Sequence, residues 1–302
     1  MNDGPVISIN KLSKRYNAGS PYALKNLTLS INKGEVFGFL GPNGAGKSTA
    51  IRTLLNFIQP TGGSATILGL DIVKDSVKIR RNLGYLSGDF KAYEKMTGKQ
   101  LIKYMNSLQP PKRKGFADEL AHTFKANLNK RISELSKGNR QKLGVIQAFM
   151  HEPEVIVLDE PTDGLDPLVQ ESFYELLKQV AGNGTTIFMS SHNLGEVKKV
   201  CDRVAIIKDG LLVSEKTIAD LAKEAAQTLI VTFEGPAPIN ELKKLKDTKV
   251  TKNKDGTAKL HIHGPLPPVL ALLAKHNATH IVSQEFNLED EFMKFYETKA
   301  VR

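Results

Sequence analysis

The sequence predicts an α/β fold: a largely parallel sheet interleaved with helices, an antiparallel addition near its start, and a small α+β domain appended at residues 226–302. Three stretches carry that prediction. Gly41-Pro42-Asn43-Gly44-Ala45-Gly46-Lys47-Ser48-Thr49 follows an apolar run at 36–40 and precedes a helical pattern from Ala50, the order strand, glycine loop, helix. Val155-Ile156-Val157-Leu158 is continuously apolar, as suits a strand covered on both faces of a parallel sheet. Beyond residue 228 the apolar runs read β, α, β, β, α, β and a terminal helix, a ferredoxin-like order.

The elements between these landmarks follow from periodicity. Residues 6–10 and 24–31 alternate apolar with polar and read as strands, with Lys14-Arg15-Tyr16 between them. Residues 64–68 form a strand after the turn-rich Pro60-Thr61-Gly62-Gly63, and 83–87 a short one. From 97 to 150 the pattern is mainly helical, broken at Pro110-Pro111, which sets off a helical subdomain at about 95–150. Residues 168–181 are amphipathic through Leu168, Phe173, Leu176, Leu177 and Val180, and Gly182-Asn183-Gly184 ends that helix. Strands at 185–189 and 204–207 flank a helix at 194–200, and Lys208-Asp209-Gly210 turns the chain into 211–214. In the appended domain, strands at 228–233, 249–251, 258–262 and 280–284 surround helices at 239–245 and 268–276, with a last helix at 288–298. Asp255-Gly256 marks the hairpin there.

Composition narrows the class. With 302 residues, 40% apolar and 25% charged, the chain has the makeup of an ordinary globular protein in one or two domains rather than a disordered or fibrous one. A single cysteine, Cys201, permits no intrachain disulfide and fits a reducing compartment. Met1-Asn2-Asp3-Gly4-Pro5 lacks the basic-then-apolar order of a secretion signal, and no apolar run has the length of a membrane span. Attachment to a membrane is therefore expected only through another molecule. The net charge of +10 is concentrated: between Lys95 and Met150 there are twelve Lys and Arg against three Asp and Glu. A basic face there suits nucleic acid, anionic headgroups, an acidic partner, or solvent alone.

Residue chemistry points to a nucleotide. Glycines in the loop at 41–49 let backbone N–H groups curl around an anion, and the following helix adds its positive end. Lys47 is placed to bridge the outer phosphates and Ser48 to ligate Mg²⁺. Asp159, at the end of an apolar strand, is the second candidate metal ligand, and Glu160 the candidate base for an attacking water. His192 follows another strand and Ser190-Ser191, at the strand ends where ligand sites of α/β proteins form. Ser136, in Leu135-Ser136-Lys137-Gly138-Asn139-Arg140-Gln141-Lys142, is placed as an N-cap, and the free N–H groups after it form a second anion site.

Together these stretches resemble the nucleotide-binding subunit of an ABC transporter, over about residues 5–220. Gly41–Thr49 resembles the Walker A loop, 135–139 a variant of the LSGGQ signature, and 155–160 Walker B with its catalytic glutamate. Pro161-Thr162-Asp163-Gly164-Leu165-Asp166-Pro167 resembles the D-loop, His192 the switch histidine, and Tyr16 the aromatic that stacks on adenine. Asn287-Leu288-Glu289-Asp290-Glu291-Phe292 resembles the ending of ABC-2-type export ATPases. The resemblance implies a P-loop NTPase core with antiparallel β and helical subdomains at 1–222 and a small accessory domain at 226–302. It implies ATP and Mg²⁺ as cofactors, with Glu160, His192 and Lys47 as catalytic residues. It also implies a head-to-tail pair of subunits, a homodimer or a related chain, in which Ser136 and Gly138 touch the γ-phosphate bound by the partner.

The pattern departs from the family at several positions. The glutamine loop expected after Gly84-Tyr85-Leu86 reads Ser87-Gly88-Asp89, leaving the metal position to Asp89 or to water. Lys137 and Asn139 replace a glycine and a glutamine of the signature, and Asp163 stands where serine is common. On this resemblance the partner is an integral membrane permease, met at the cytoplasmic face of the membrane, and direct nucleic-acid contact is not expected. The alternative is a soluble ABC ATPase acting on nucleic acid or ribosomes. The basic segment favours it, while the lack of a long coiled-coil insertion or a second ATPase module opposes it.

Overall fold

The computed structural model describes residues 4–91, 93–224, 227–253, 256–262 and 264–284. The chain divides into two compact units, one ending at Ile218 and the other beginning at Ala219. The first unit runs β1 (Ile7–Lys14), β2 (Leu24–Ile31), β3 (Val36–Leu40), α1 (Lys47–Leu54), β4 (Gly62–Ile67), β5 (Leu70–Asp71), α2 (Ser76–Arg80) and β6 (Leu83–Leu86). It continues through α3 (Gly98–Leu108), α4 (Phe116–Thr123), α5 (Lys137–Phe149), β7 (Val155–Asp159), α6 (Pro167–Gly182), β8 (Thr186–Ser191), α7 (Leu194–Val200), β9 (Arg203–Lys208) and β10 (Leu211–Thr217). Then follow α8 (Ile218–Glu224), β11 (Gln227–Phe233), α9 (Ile239–Leu242), β12 (Thr248–Lys252), β13 (Ala258–Ile262), α10 (Leu266–Lys275) and β14 (Ala278–Gln284).

Two sheets organise the first unit. The six-stranded sheet has the order β10-β9-β3-β8-β7-β6, parallel from β9 to β6, with β10 added antiparallel. The antiparallel sheet has the order β2-β1-β4-β5. The central strands β3, β7 and β8 are buried at every position, which is why their sequences run apolar without alternation. In the antiparallel sheet Leu24, Leu27, Leu29 and Ile31 alternate inward and share one core with Phe37, Phe39, Ile51, Leu54 and Phe188. Phe188 packs on Phe39 with ring centroids 5.4 Å apart, fixing α1 and both sheets around the strand that leads into the glycine loop.

The sequence reading differs from the structure in local ways. β1 extends to Lys14, well past residue 10, because its ladder to β2 and β4 continues through register shifts that break strict alternation. β5 and α2, two and five residues long, are too short to carry a periodic signal. Leu168 is 79% exposed: α6 turns Val169, Phe173, Tyr174 and Leu177 inward and leaves Leu168 on the outer side of its first turn. Asp166 caps that helix by accepting from the Val169 N–H at 3.1 Å, with Pro167 in the first turn where no N–H is missed.

In the second unit β12, β13, β11 and β14 form an antiparallel sheet in that order, with Leu229, Val231, Leu260, Val269 and Leu273 in one core. The helix expected at 288–298, with the stretch 287–292, lies outside the described residues, as does Asp255. Among the described residues no helix is long and apolar enough to cross a membrane.

Candidate functional site

The glycine loop leaves β3 at the carboxyl ends of the parallel strands, with Gly41 N–H donating to the Ser191 carbonyl of β8 at 3.2 Å. Gly46 has φ 106°, and a Cβ there would stand 2.5 Å from the Ala23 carbonyl oxygen, so only glycine closes this turn. Lys47, 5% exposed, opens α1 and curls back, donating to the Gly41 carbonyl at 2.6 Å and the Pro42 carbonyl at 3.1 Å. Pro42, Asn43, Gly44 and Ala45 complete the loop, whose Ala45 N–H turns back to the Pro42 carbonyl at 3.1 Å. Ser48 Oγ donates to Asp159 Oδ1 at 3.1 Å, and Ser190 Oγ donates to the same oxygen at 2.7 Å. The Tyr85 hydroxyl is pushed up to about 12, first by burial and then by the charge of Asp159.

Three of the residues expected from sequence meet at Glu160. Its Oε1 lies 3.0 Å from Lys47 Nζ, and its Oε2 lies 2.8 Å from His192 Nδ1. The His192 backbone N–H also reaches Oε2, at 3.3 Å. Glu160 holds φ 48°, a left-handed conformation that a non-glycine residue adopts at a cost of roughly 1–2 kcal/mol. Its N–H is taken by Ser190 Oγ at 3.0 Å, so the bend that aims the carboxylate at Lys47 is anchored on β8. A carboxylate oxygen of Asp163 joins Glu160 and His192 within 4.8 Å. Tyr16 stands on the other side of the loop, half-exposed, with its hydroxyl 3.2 Å from Thr49 Oγ1. Lys14 Nζ lies 5.7 Å from the ring centroid.

Asp89 stands apart from this cluster. Its carboxylate is 82% exposed and pairs with Lys91 at 3.2 Å, with no bond to Ser48 or Asp159. The segment does pass the site, since a Cβ on Gly88 would stand 3.1 Å from the Asp159 carbonyl oxygen. The side chain that follows turns to solvent, where its charge costs least.

Ser136 caps α5, accepting from the Asn139 N–H at 3.3 Å, and Gly138 abuts the D-loop so closely that a Cβ would lie 2.6 Å from the Gly164 carbonyl oxygen. No hydrogen bond or ion pair joins Ser136 or Gly138 to residues 41–49. The sequence reading missed two side chains that tie the loop after Glu160 in place. Gln141, on α5, donates from Nε2 to the Pro161 carbonyl at 3.0 Å, and Glu196, on α7, accepts from Thr162 Oγ1 at 2.7 Å. Neither carries a signal that sequence spacing alone reveals.

A second surface feature lies along α3 and the end of α1, a groove of about 290 Å³ lined by Leu55, Phe57, Tyr85, Met105, Leu108 and His151. Phe57 and Leu108 are largely exposed, and Phe57 meets Tyr85 edge-on at 5.3 Å. Burial lowers the His151 pKa, and its buried Nδ1 has no hydrogen-bond partner. The folded chain therefore binds this proton less readily than the unfolded chain. Stability is full above the ordinary histidine pKa and falls as pH drops from about 6.5 toward the folded value. Thermal melts between pH 7.5 and 5.5 check this: His151→Gln is expected to flatten the acid-side fall, and an unchanged slope would count against it.

Known proteins share this sequence and fold. Residues 24–163 match the ABC transporter family model. The chain is 32% identical over 226 residues to the probable multidrug ABC transporter ATP-binding protein YbhF of Escherichia coli, a match covering 73% of this chain and 39% of that protein's length. It is 34% identical over 221 residues to the bacitracin transport ATP-binding protein BcrA of Bacillus licheniformis, covering 72% of each. Among solved structures it superposes with TM-score 0.64 and 25% identity on the dimeric ATP-binding cassette MJ0796 bound to ADP and Pi, covering 70% of this chain and 98% of that one. The chain belongs to the ATP-binding subunits of ABC transporters, and its fold is that of an ABC ATPase.

Proposed function

We propose that this chain hydrolyses ATP to power export of a substrate through a separate membrane permease, working as one of two subunits that close on ATP and reopen after its cleavage. The observation that carries the reading is a divided site: Lys47, Glu160 and His192 stand together, while the Ser136 hydroxyl bonds only to Asn139 and Gly138 abuts Gly164, neither bonded to the glycine loop of their own chain. A second chain set head to tail brings its Ser136 and Gly138 to the γ-phosphate, and the dimeric state of MJ0796 supports that arrangement. Export is read from the resemblance of 287–292 to the ending of ABC-2-type export ATPases, and YbhF and BcrA, named for multidrug and bacitracin transport, suit a small-molecule cargo.

In this reading the backbone N–H groups left free between Asn43 and Thr49 and the Lys47 ammonium hold the phosphates, and the Tyr16 ring stacks on the base. Ser48 and Asp159 present adjacent hard oxygens, the donor set magnesium prefers, and they would hold it. The ion supplies neutralisation of phosphate charge. Glu160 takes the proton from the attacking water, and His192, bonded to Glu160, keeps that carboxylate aimed.

The apolar groove beside Phe57 and Leu108 is the surface assigned to the permease, at the cytoplasmic face of the membrane. The basic segment gives less support to the nucleic-acid alternative than its charge suggests. Lys112 donates to the Glu152 carbonyl at 2.8 Å, and Arg113 pairs with Glu119 at 3.3 Å and stacks on Phe116. Ser136→Arg tests the divided site. It is expected to abolish turnover and ATP-dependent dimerisation while leaving the affinity of the isolated chain for ATP unchanged. Loss of ATP binding by the isolated chain would place Ser136 in its own site and overturn the reading.

A further inference from the structure

Glu196 is a carboxylate beside the site that none of the roles assigned so far uses. Glu196 sits in the first turn of α7, whose N-terminal end favours a negative charge. Each of its oxygens is committed. Oε1 accepts from Thr162 Oγ1 at 2.7 Å, and Oε2 accepts from Ser191 Oγ at 2.8 Å. The Ser191 hydroxyl proton has another possible acceptor, the Asn193 carbonyl, but at 3.3 Å that contact is much longer, so the carboxylate takes it. Both hydroxyls are out of solvent, Thr162 at 4% exposed and Ser191 at 0%.

The positions of those hydroxyls matter more than their number. Thr162 stands two residues after Glu160, and Ser191 stands immediately before His192. The backbone ladder between β7 and β8 ends at the pair Asp159 and Ser190. Past that pair the ladder no longer joins the two strand ends, and side chains bond across them. Glu196 bridges them one step beyond the ladder. Its Ser191 partner also accepts, through its carbonyl, the Gly41 N–H that starts the glycine loop.

We infer that Glu196 is a positioning residue of the ATPase site: by bonding Thr162 and Ser191 at once, it holds Glu160 and His192 at their 2.8 Å contact without touching nucleotide. This rests on the assignment of Glu160 and His192 to the attack on ATP.

The test is steady-state ATPase kinetics of the full chain, with direct ATP-binding and melting measurements alongside. Glu196→Ala is expected to lower kcat about tenfold or more, since small misplacements of reacting groups cost up to roughly 10²-fold, while KM and ATP affinity stay nearly unchanged. Glu196→Gln keeps the shape and an acceptor, and the hydroxyls can rotate to meet its amide, so it is expected to recover most of the lost kcat. Thr162→Val should lower kcat in the same direction, and adding it to Glu196→Ala should cost little more. Normal kcat in Glu196→Ala overturns the inference, as does a joint fall in kcat, ATP affinity and melting temperature. An inactive Glu196→Gln also overturns it, because that marks a proton-transfer role. If Glu196→Ala does not fold, Thr162→Val decides by the same split between kcat and KM. Normal turnover in Glu160→Gln would instead sink the underlying assignment, a result distinguishable from the failure of Glu196 alone.

Discussion

Glu160→Gln is expected to abolish turnover while keeping ATP bound. Glutamine has the same shape, so the bend at φ 48° can persist. What disappears is the ability to take a proton from water, a function that contributes roughly 10²–10⁴-fold in enzymes of this kind. Removing the negative charge also releases Lys47 from its ion pair, which strengthens the hold of the ammonium on phosphate. The variant should therefore accumulate an ATP-bound pair of chains. Size-exclusion chromatography with and without ATP, combined with phosphate release, reads both effects. Normal phosphate release would show that another group activates the water.

Lys47→Ala is expected to remove ATP binding. The ammonium lies at the mouth of α1, already facing the Gly41 and Pro42 carbonyls and Glu160, and it exchanges these partners for phosphate oxygens. Charge-assisted hydrogen bonds of this type are worth about 1.5–3 kcal/mol each, so losing two corresponds to an affinity drop of roughly 10²-fold or more. The same truncation leaves the Glu160 carboxylate with His192 alone and two carbonyls unmatched. A lower melting temperature is therefore expected even without nucleotide. The diagnostic readout is the ATP-dependent rise in melting temperature, large in the parent chain and absent in the variant. A preserved rise would show that the loop backbone binds phosphate without the lysine.

Much of this arrangement is written in short-range patterns. Val155-Ile156-Val157-Leu158 declares a strand covered on both faces, and the glycine loop declares its own turn because Gly46 fits where no side chain can. The meeting of Lys47, Glu160 and His192 was legible once each was placed at the end of a parallel strand or loop. Asp89 was not, because its neighbour Gly88 approaches Asp159 while its own side chain follows Lys91 outward, a choice made by solvation at a single rotamer. Leu168 looked like core because it opens an apolar pattern, yet at about 100° per residue it stands roughly 140° round the helix from Phe173, outside the face that Val169, Phe173 and Leu177 bury. Gln141 and Glu196 were invisible for a third reason. Their partners, Pro161 and Thr162, are 20 and 34 residues away in sequence, and only tertiary packing brings them into register.

The seam between α5 and the D-loop bears on how two ATP sites communicate. Gln141 bonds to Pro161, Lys142 Nζ lies 3.7 Å from Asp166, and Gly138 leaves no gap against Gly164. In a head-to-tail pair, Glu160 of one chain serves one nucleotide while α5 of the same chain serves the other. A shift of the D-loop at the first nucleotide therefore changes the binding free energy of the second, and the coupling is reciprocal. Such a pair should bind ATP with a Hill coefficient above one. Loosening the seam through Gln141→Ala should bring that coefficient toward one before it greatly weakens binding at either site.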